Sequence, residues 1–338
     1  MRSTYSSFPT AAAIAYGLYQ NKESARFLVF DLGGGTFDVS ILELIDTILE
    51  VRAVAGDNFL GGEDFTAVLE GMFFEKYPQL DRLSLSEKVL RHIHKQAEQC
   101  KLGFSDKRVS SMNCKINDEI FDFEVDLTKY EEACSDLLER IRKPVKRSLA
   151  DAHVRLSDID KVVLVGGATK SPIIRRFVSK LFKMLPDTNI NPDEAVALGA
   201  AIQGAMKERK DAIKEVILTD VCPFTLGTEV VREWDENRFE NGVFCPIIDR
   251  NTVIPASRTE RLYTVRDNQN KIRVNVLQGE SRFAANNLSL GELLIDIPTA
   301  KAGEEAVDVT YTYDINSLLE VEVKVVSTQK IMKKVFFG

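Results

Sequence analysis

The chain contains no Cys-x-x-Cys pair, and its five cysteines (Cys100, Cys114, Cys134, Cys222 and Cys245) are odd in number and widely spread. This argues against zinc ribbons and disulfide frameworks and makes a reducing cytoplasm the simplest setting. Histidine is scarce, with three in 338 residues. His92 and His94 stand two apart on a predicted helix and do not share a face, so no metal site is expected there. No apolar run approaches the ~20 residues that a membrane helix needs. The opening MRSTYSSF has no apolar centre and does not read as a secretory leader. Excess positive charge is also lacking. The net charge of −7 argues against non-specific binding to nucleic acid or to a membrane surface.

What is present is ordinary for a soluble globular chain: 44% hydrophobic and 28% charged residues, and a length that suits two or three domains. Residues 9–19 read as a helix with Pro9 in its first turn. Residues 26–45 read as two apolar strands joined by a glycine turn, with a third strand over 49–55. Helices are predicted over 63–74, 86–101 and 127–152, with a hairpin over 110–125 between the last two. The run RIRKPVKR (140–147) reads as a solvated helix face. KVVLV (161–165) is a short continuous apolar run, the mark of a strand buried on both faces. A helix over 173–182 follows, then one over 191–207 with Asn191 as its cap. After Lys214 the pattern changes to period-two alternation, as in Ile272, Val274, Val276 and again in Leu319, Val321, Val323, Val325. That reads as antiparallel strands with one buried face. The intervening EVILTDVCPFTLG (215–227) is too apolar for a flexible spacer. The expected fold class is therefore α/β followed by all-β.

Three glycine turns carry the chemistry. In DLGGGTFD (31–38), consecutive glycines let the backbone approach a ligand closely, and N–H groups in such a turn cradle phosphate oxygens. Thr36 adds a hydroxyl, and Asp31 and Asp38 are suited to hold Mg²⁺ through water. A tight hairpin alone also uses glycine, but it has no need of two flanking carboxylates. The second turn, GDNFLGGED (56–64), places Gly62 just before a helix, where an anion is favoured. The third, VGGATKSP (165–172), ends a buried strand at a helix start, the expected ligand position of an α/β fold. Both also fit a bare strand-to-helix connection.

Taken in order, these segments resemble the DnaK-type (heat-shock) chaperone family. FDLGGGTFDVSILEL looks like the second phosphate motif of its actin-like ATPase fold, and VVLVGGATKSPIIRRF like its adenosine motif. PTAAAIAYGL and NPDEAVALGAAIQ look like its two connecting helices, and the linker and VNVLQGE match as well. The linker and IIDRNTVIPASR are closest to the bacterial HscC branch.

The resemblance implies a partial actin-like nucleotide-binding domain over 1–214, mostly its second lobe (26–189), then a linker over 215–227. A β-sandwich substrate-binding domain follows over 228–338. It implies ATP or ADP with Mg²⁺ as cofactors. Gly33, Gly34, Gly35 and Thr36 would line the phosphates, and Gly62 would touch the nucleotide. Asp31 and Asp38 would organise the metal, making Asp31, Thr36 and Asp38 the catalytic set. Glu98, Lys101 and Ser105 would contact ribose and adenine, Gly166, Gly167 and Lys170 would cover the nucleoside, and Asp193 would sit near the sugar. Leu102 stands where the family often has an arginine packed on adenine. Thr228, Val231, Leu262, Val265, Ile272 and Val274 match the groove for an extended apolar peptide. Unfolded polypeptide, a J-domain co-chaperone and a nucleotide-exchange factor are the implied partners.

Two further expectations concern what the family has and these residues do not show. Its first phosphate loop, catalytic lysine and a glutamate where Phe8 stands are not found, and no helical lid follows the β-domain. The sequence therefore reads as a truncated form, impaired in ATP hydrolysis. Ile14, Leu18, Val196, Leu198 and Ile202 are accordingly expected to lie exposed. A nucleotide-independent peptide-binding module, a non-functional remnant and a metabolite kinase of the same fold are the competing readings.

Overall fold

Helix α1 (Phe8–Ala15) carries Pro9 in its first turn, where a missing N–H costs nothing. The computed structural model describes residues 8–17, 24–45, 48–117, 119–207, 217–235, 238–314 and 318–337. Leu18 and Val216 lie outside them. The chain divides into two units, Ser7–Leu218 and Thr219–Gly338.

In the first unit, strands β1 (Ala25–Leu32) and β2 (Phe37–Ile45) form an antiparallel hairpin, and β3 (Ile48–Asp57) pairs with the far side of β2. Helices α2 (Gly62–Lys76) and α3 (Glu87–Gly103) follow, then the hairpin β4 (Val109–Ile116) and β5 (Glu119–Asp126). The expected single helix over 127–152 is two, α4 (Leu127–Ala133) and α5 (Ser135–Asp151). The chain leaves helical geometry at Cys134 (φ −85°, ψ 3°), and the Asp126 carboxylate caps α4 by accepting the Thr128 N–H at 2.7 Å. Strand β6 (Lys161–Val165) lies parallel to β1 on its open side, buried along nearly its whole length. Helices α6 (Pro172–Phe182) and α7 (Ala195–Lys207) complete the unit. Asn191 opens the turn before α7, its carbonyl accepting from Glu194 and Ala195.

Two sequence expectations are corrected here. RIRKPVKR is not wholly a solvated face: Ile141, Pro144 and Val145 are buried, and Arg140 pairs with Asp57 at 2.8 Å. The helical repeat brings residues three and four apart onto one face, and this face meets the sheet. Ile14 is also fully buried, because α1 crosses α7 at backbone contact. A Cβ built on Gly199 would lie 1.7 Å from the Ala11 carbonyl oxygen. Of the other residues expected to be exposed, Leu198 is, while Val196 and Ile202 are half-buried.

The second unit is all-β. Strand β7 (Ile217–Val221) leads into it, followed by β8 (Leu226–Asp235), β9 (Arg238–Ile248), β10 (Val253–Ile254) and β11 (Ala256–Tyr263). Strands β12 (Lys271–Gln278), β13 (Leu288–Asp296), β14 (Ala306–Tyr313), β15 (Leu318–Val325) and β16 (Ile331–Phe337) follow. Eight of these strands form two four-stranded antiparallel sheets, ordered β11-β14-β15-β16 and β13-β12-β8-β9, while β10 pairs with β7. One cluster, containing Val274, Ile295, Val309, Tyr311, Val321 and Val323, draws on both sheets. Alternation in β14 and β15 follows from this, since every second side chain enters the cluster. Glu280 of the QGE segment accepts from Thr225 N–H (3.0 Å) and Oγ1 (3.1 Å), and so ties the start of β8 to the end of β12. Among the described residues no helix is long and apolar enough to cross a membrane.

Candidate functional site

The hairpin register decides the geometry of the first glycine turn. Leu32 pairs with Phe37, leaving residues 33–36 as the connection, and Gly33 N–H donates to the Thr36 carbonyl at 3.0 Å. The turn rests on the start of α2: Gly62 N–H donates to Gly33 O (2.9 Å) and Glu63 N–H to Gly34 O (2.8 Å). The first donors of α2 therefore brace the glycine turn, which revises the expectation that this helix end faces an anion. Gly61 permits the approach, since a Cβ there would stand 2.3 Å from Gly34 O and Gly35 N. The other side of the turn is open: a Cβ on Gly34 or Gly35 would meet nothing within 4 Å. No hydrogen bond from the Gly34 or Gly35 N–H occurs among the described residues.

Asp31 and Asp38 flank the turn as a cross-strand pair. Burial, with Asp38 nearby as a second cause, pushes Asp31 up to about 6. Burial also raises Asp38. Like charges held together out of water resist ionisation unless a cation joins them. Gly56 and Gly166 make room for the pair, because a Cβ on Gly56 would meet Asp38 Oδ1 at 2.4 Å and one on Gly166 would meet Asp31 Oδ1 at 2.9 Å. Gly166 also has φ +83°, a conformation that L side chains rarely adopt.

Beside the turn lies a cleft of about 310 Å³ whose walls come from three distant parts of the chain. Gly33, Gly34 and Gly62 form one end; Glu98, Lys101, Leu102 and Ser105 of the α3 end form a second wall; Gly167, Lys170 and Asp193 form the third. Lys101 reaches back to α2, donating to Gly62 O (2.8 Å) and Thr66 Oγ1 (2.6 Å), and burial lowers its pKa. Lys170 pairs with Asp193 at 2.5 Å within the third wall. Asp193 presses on Gly167, where a Cβ would meet its Oδ1 at 2.8 Å, and Gly166 N–H donates to Pro192 O at 3.1 Å. Gly35, Thr36, Gly166, Asp31 and Asp38 are not among the lining residues. Glu63, Phe65, Ala168, Ser171 and Ile174 line the cleft without having been singled out in the sequence. Their only signal was adjacency to a glycine turn.

The sequence pattern of the family described as Hsp70 protein matches residues 7–335, almost the whole chain. The chain belongs to the Hsp70 family. It is 41% identical over 329 residues to "Chaperone protein DnaK" of Deinococcus deserti, a match covering 94% of this chain and 50% of that protein. It is 40% identical over 330 residues to the protein of the same name from Deinococcus radiodurans, covering 94% and 50%. "Chaperone protein dnaK" of Cyanidioschyzon merolae is 39% identical over 331 residues, covering 95% and 53%. The chain spans about half the length of the curated relatives it matches.

The Hsp70 family binds nucleotide and uses Mg²⁺, and the cleft and the carboxylate pair near it have the chemistry to suit such groups. The cleft volume lies at the lower end of ligand sites. No Lys or Arg side chain pairs with Asp31 or Asp38 among the described residues, so a hydrated divalent ion suits that pair. Of the expected groove residues, Val265 is exposed, and Val231 and Leu262 are half-buried. Ile272 and Val274 sit in the core cluster, Val274 with no exposed surface, and pack the two sheets together rather than facing solvent. Thr228 is buried, and its Oγ1 has no partner among the described residues.

Proposed function

We propose that this chain contributes the nucleotide-holding and peptide-binding parts of a DnaK-type, ATP-dependent protein-folding chaperone. The observation that carries the reading is the convergence of three separate motifs, through Gly33, Gly34, Gly62, Gly167, Lys170 and Asp193, on one cleft. In this reading the Ser7–Leu218 unit is actin-like and holds ATP or ADP. Gly33, Gly34, Gly35 and Thr36 take the phosphates, and Asp31 and Asp38 hold Mg²⁺ through water. Glu98, Lys101 and Ser105 take the ribose and base, and Gly166, Gly167, Lys170 and Asp193 close over the nucleoside. The all-β unit is a β-sandwich that takes extended apolar segments of unfolded polypeptide through Val231, Leu262 and Val265. A J-domain protein and an exchange factor are its proposed partners.

Hydrolysis by this chain itself is proposed to be weak. Phosphoryl transfer depends on positioned charge around the moving phosphoryl group. Both cations lining the cleft are already engaged, Lys101 with Gly62 and Thr66 and Lys170 with Asp193. One missing preorganised donor costs roughly 2.7–4 kcal/mol.

A nucleotide-independent peptide-binding module is the second reading, favoured by the same engagement of Lys101 and Lys170. Calorimetry with ATP–Mg²⁺ and peptide off-rates with and without ATP separate the two. Measurable binding with an ATP-accelerated off-rate supports the first reading. No heat of binding at millimolar ATP sinks it.

A further inference from the structure

We propose that Tyr16 is a positioning residue for the third wall of the cleft: its hydroxyl joins the end of β6 to the segment that carries Asp193, and so sets where Gly166, Gly167 and Asp193 stand. The affinity part of this proposal rests on the nucleotide reading above. The geometric part does not.

Tyr16 directly follows α1 and is half-buried. Its hydroxyl oxygen lies 3.1 Å from the Leu164 carbonyl and 3.3 Å from the Ile190 carbonyl. A tyrosine hydroxyl has one proton to give, so the two acceptors share it. Burial, with Asp187 as a second cause, pushes Tyr16 up to about 12, which keeps that proton in place at neutral pH.

The position of the hydroxyl follows from the strand. In extended backbone every second residue presents its polar groups to the same edge. Strand β6 pairs with β1 on one edge, and its other edge takes residues 187–192. There Val162 O accepts from Asp187 N–H at 2.8 Å, and Gly166 N–H, just past the strand, donates to Pro192 O at 3.1 Å. Leu164 O falls between them. Among the described residues no backbone donor of 187–192 reaches it. Asn189 N–H is taken by the Asp187 carboxylate at 3.0 Å, and Pro192 has no N–H. Tyr16 supplies the missing donor to Leu164 O and at the same time holds Ile190 O of the passing segment.

Asp193 comes straight after Pro192. It pairs with Lys170, and a Cβ on Gly167 would meet its Oδ1 at 2.8 Å. Gly167, Lys170 and Asp193 all line the cleft. The spacing of this wall therefore depends on how residues 187–192 lie along β6. Without the hydroxyl, the ties at Asp187 and Pro192 keep the segment docked, but Asp193 gains freedom to drift from Gly167. The fold survives and the wall loosens.

The test is Tyr16→Phe, which keeps the ring and removes the donor, in the 338-residue chain. The amides of Gly166, Gly167 and Asp193 are expected to shift in NMR spectra. ADP–Mg²⁺ affinity by calorimetry is expected to fall about two- to tenfold, the range of one hydrogen bond. Val145→Ala, in the buried face of α5, is expected to lower the urea midpoint with ADP affinity unchanged, which separates positioning from stability. In an Asp193→Ala background Tyr16→Phe is expected to add no further loss of affinity, because the residue it acts through is gone. Replacement of Tyr16 by 4-aminophenylalanine, which keeps a donor, is expected to match the native chain in amides and affinity whether or not Tyr16→Phe folds. Unshifted amides in Tyr16→Phe overturn the proposal, as does an affinity loss that persists undiminished without Asp193 or a 4-amino variant no better than Tyr16→Phe. ADP that fails to bind the native chain overturns the nucleotide reading and the affinity half of this one. The amides of Gly166, Gly167 and Asp193 then decide the tie alone.

Discussion

Asp31 and Asp38 stand directly opposite each other across the β1–β2 ladder, each with a glycine, Gly166 and Gly56 respectively, where any side chain would strike its carboxylate. The pair is thus fixed by backbone pairing and by two positions far away in sequence. Its charges are half-buried by the fold that also builds the glycine turn.

That arrangement makes stability depend on pH. Asp31 has its folded-state pKa raised from 3.8 to about 6, chiefly by burial. A raised carboxylate contributes stability that is fully present below the unfolded value and is lost as pH rises through the folded one. Ionising Asp31 in the metal-free chain therefore costs on the order of 2–3 kcal/mol by pH 7. Asp31→Asn is expected to raise the thermal midpoint at pH 7 and to shrink the difference between pH 4 and 6, the rest being left to Asp38, whose carboxyl burial also raises. Mg²⁺ is expected to stabilise the native chain more than the variant. Differential scanning calorimetry across that range, with and without Mg²⁺, checks both.

Gly61→Ala and Gly34→Ala are expected to differ. A methyl at 61 collides with backbone atoms of the glycine turn and forces α2 away from it, at about 1–3 kcal/mol of stability. A methyl at 34 meets only open space, so stability is expected to stay within about 0.5 kcal/mol. It would nevertheless occupy the position proposed for a phosphate oxygen. Urea unfolding and ATP calorimetry on both variants give the comparison.

Lys101→Met removes the donor shared by Gly62 O and Thr66 Oγ1. Thr66 is fully buried, and its hydroxyl and the Gly62 carbonyl then keep only the hydrogen bond between them (3.2 Å), so loss of the charged donor is expected to cost about 1–3 kcal/mol. The expected result is a lower urea midpoint together with weaker ATP binding.

Leu102 lines the cleft and is 59% exposed, so Leu102→Arg adds a planar cation at little folding cost. Stacking on a bound purine is expected to tighten ATP by about two- to fivefold, the scale of an exposed cation–π contact. An unchanged affinity argues that no base lies against this wall.

In the all-β unit, Val274→Ala is expected to lower stability by about 1–3 kcal/mol, because the side chain is wholly within the core. Val265→Ala changes an exposed side chain and is expected to leave stability nearly unchanged while weakening binding of an extended apolar peptide. Peptide affinities by fluorescence anisotropy, set beside unfolding midpoints, separate packing from recognition.

Much of this was legible in the order of residues. Glycine runs between apolar strands located the β1–β2 turn and the end of β6, and alternation located β12, β14 and β15. Alternation alone leaves one choice open. It says that Ile272 and Val274 share a face without saying whether that face meets a ligand or the other sheet, and both lie in the core. RIRKPVKR looked solvated because its charges outnumber its apolar residues, yet three apolar side chains suffice to dock it. Ile14 looked exposed until α7 was found to cover it through the close crossing at Gly199.

The sequence by itself determined the succession of elements and the positions of the three glycine turns, because periodicity and turn chemistry are local. Asp31 and Asp38 were visible as candidates for the same reason. Only the tertiary structure decided that they face each other, that the first donors of α2 support the glycine turn, that Lys101 binds α2 and that the Tyr16 hydroxyl reaches both Leu164 and Ile190. Each of these joins side chains or backbone groups brought together by packing and register, which no local pattern encodes.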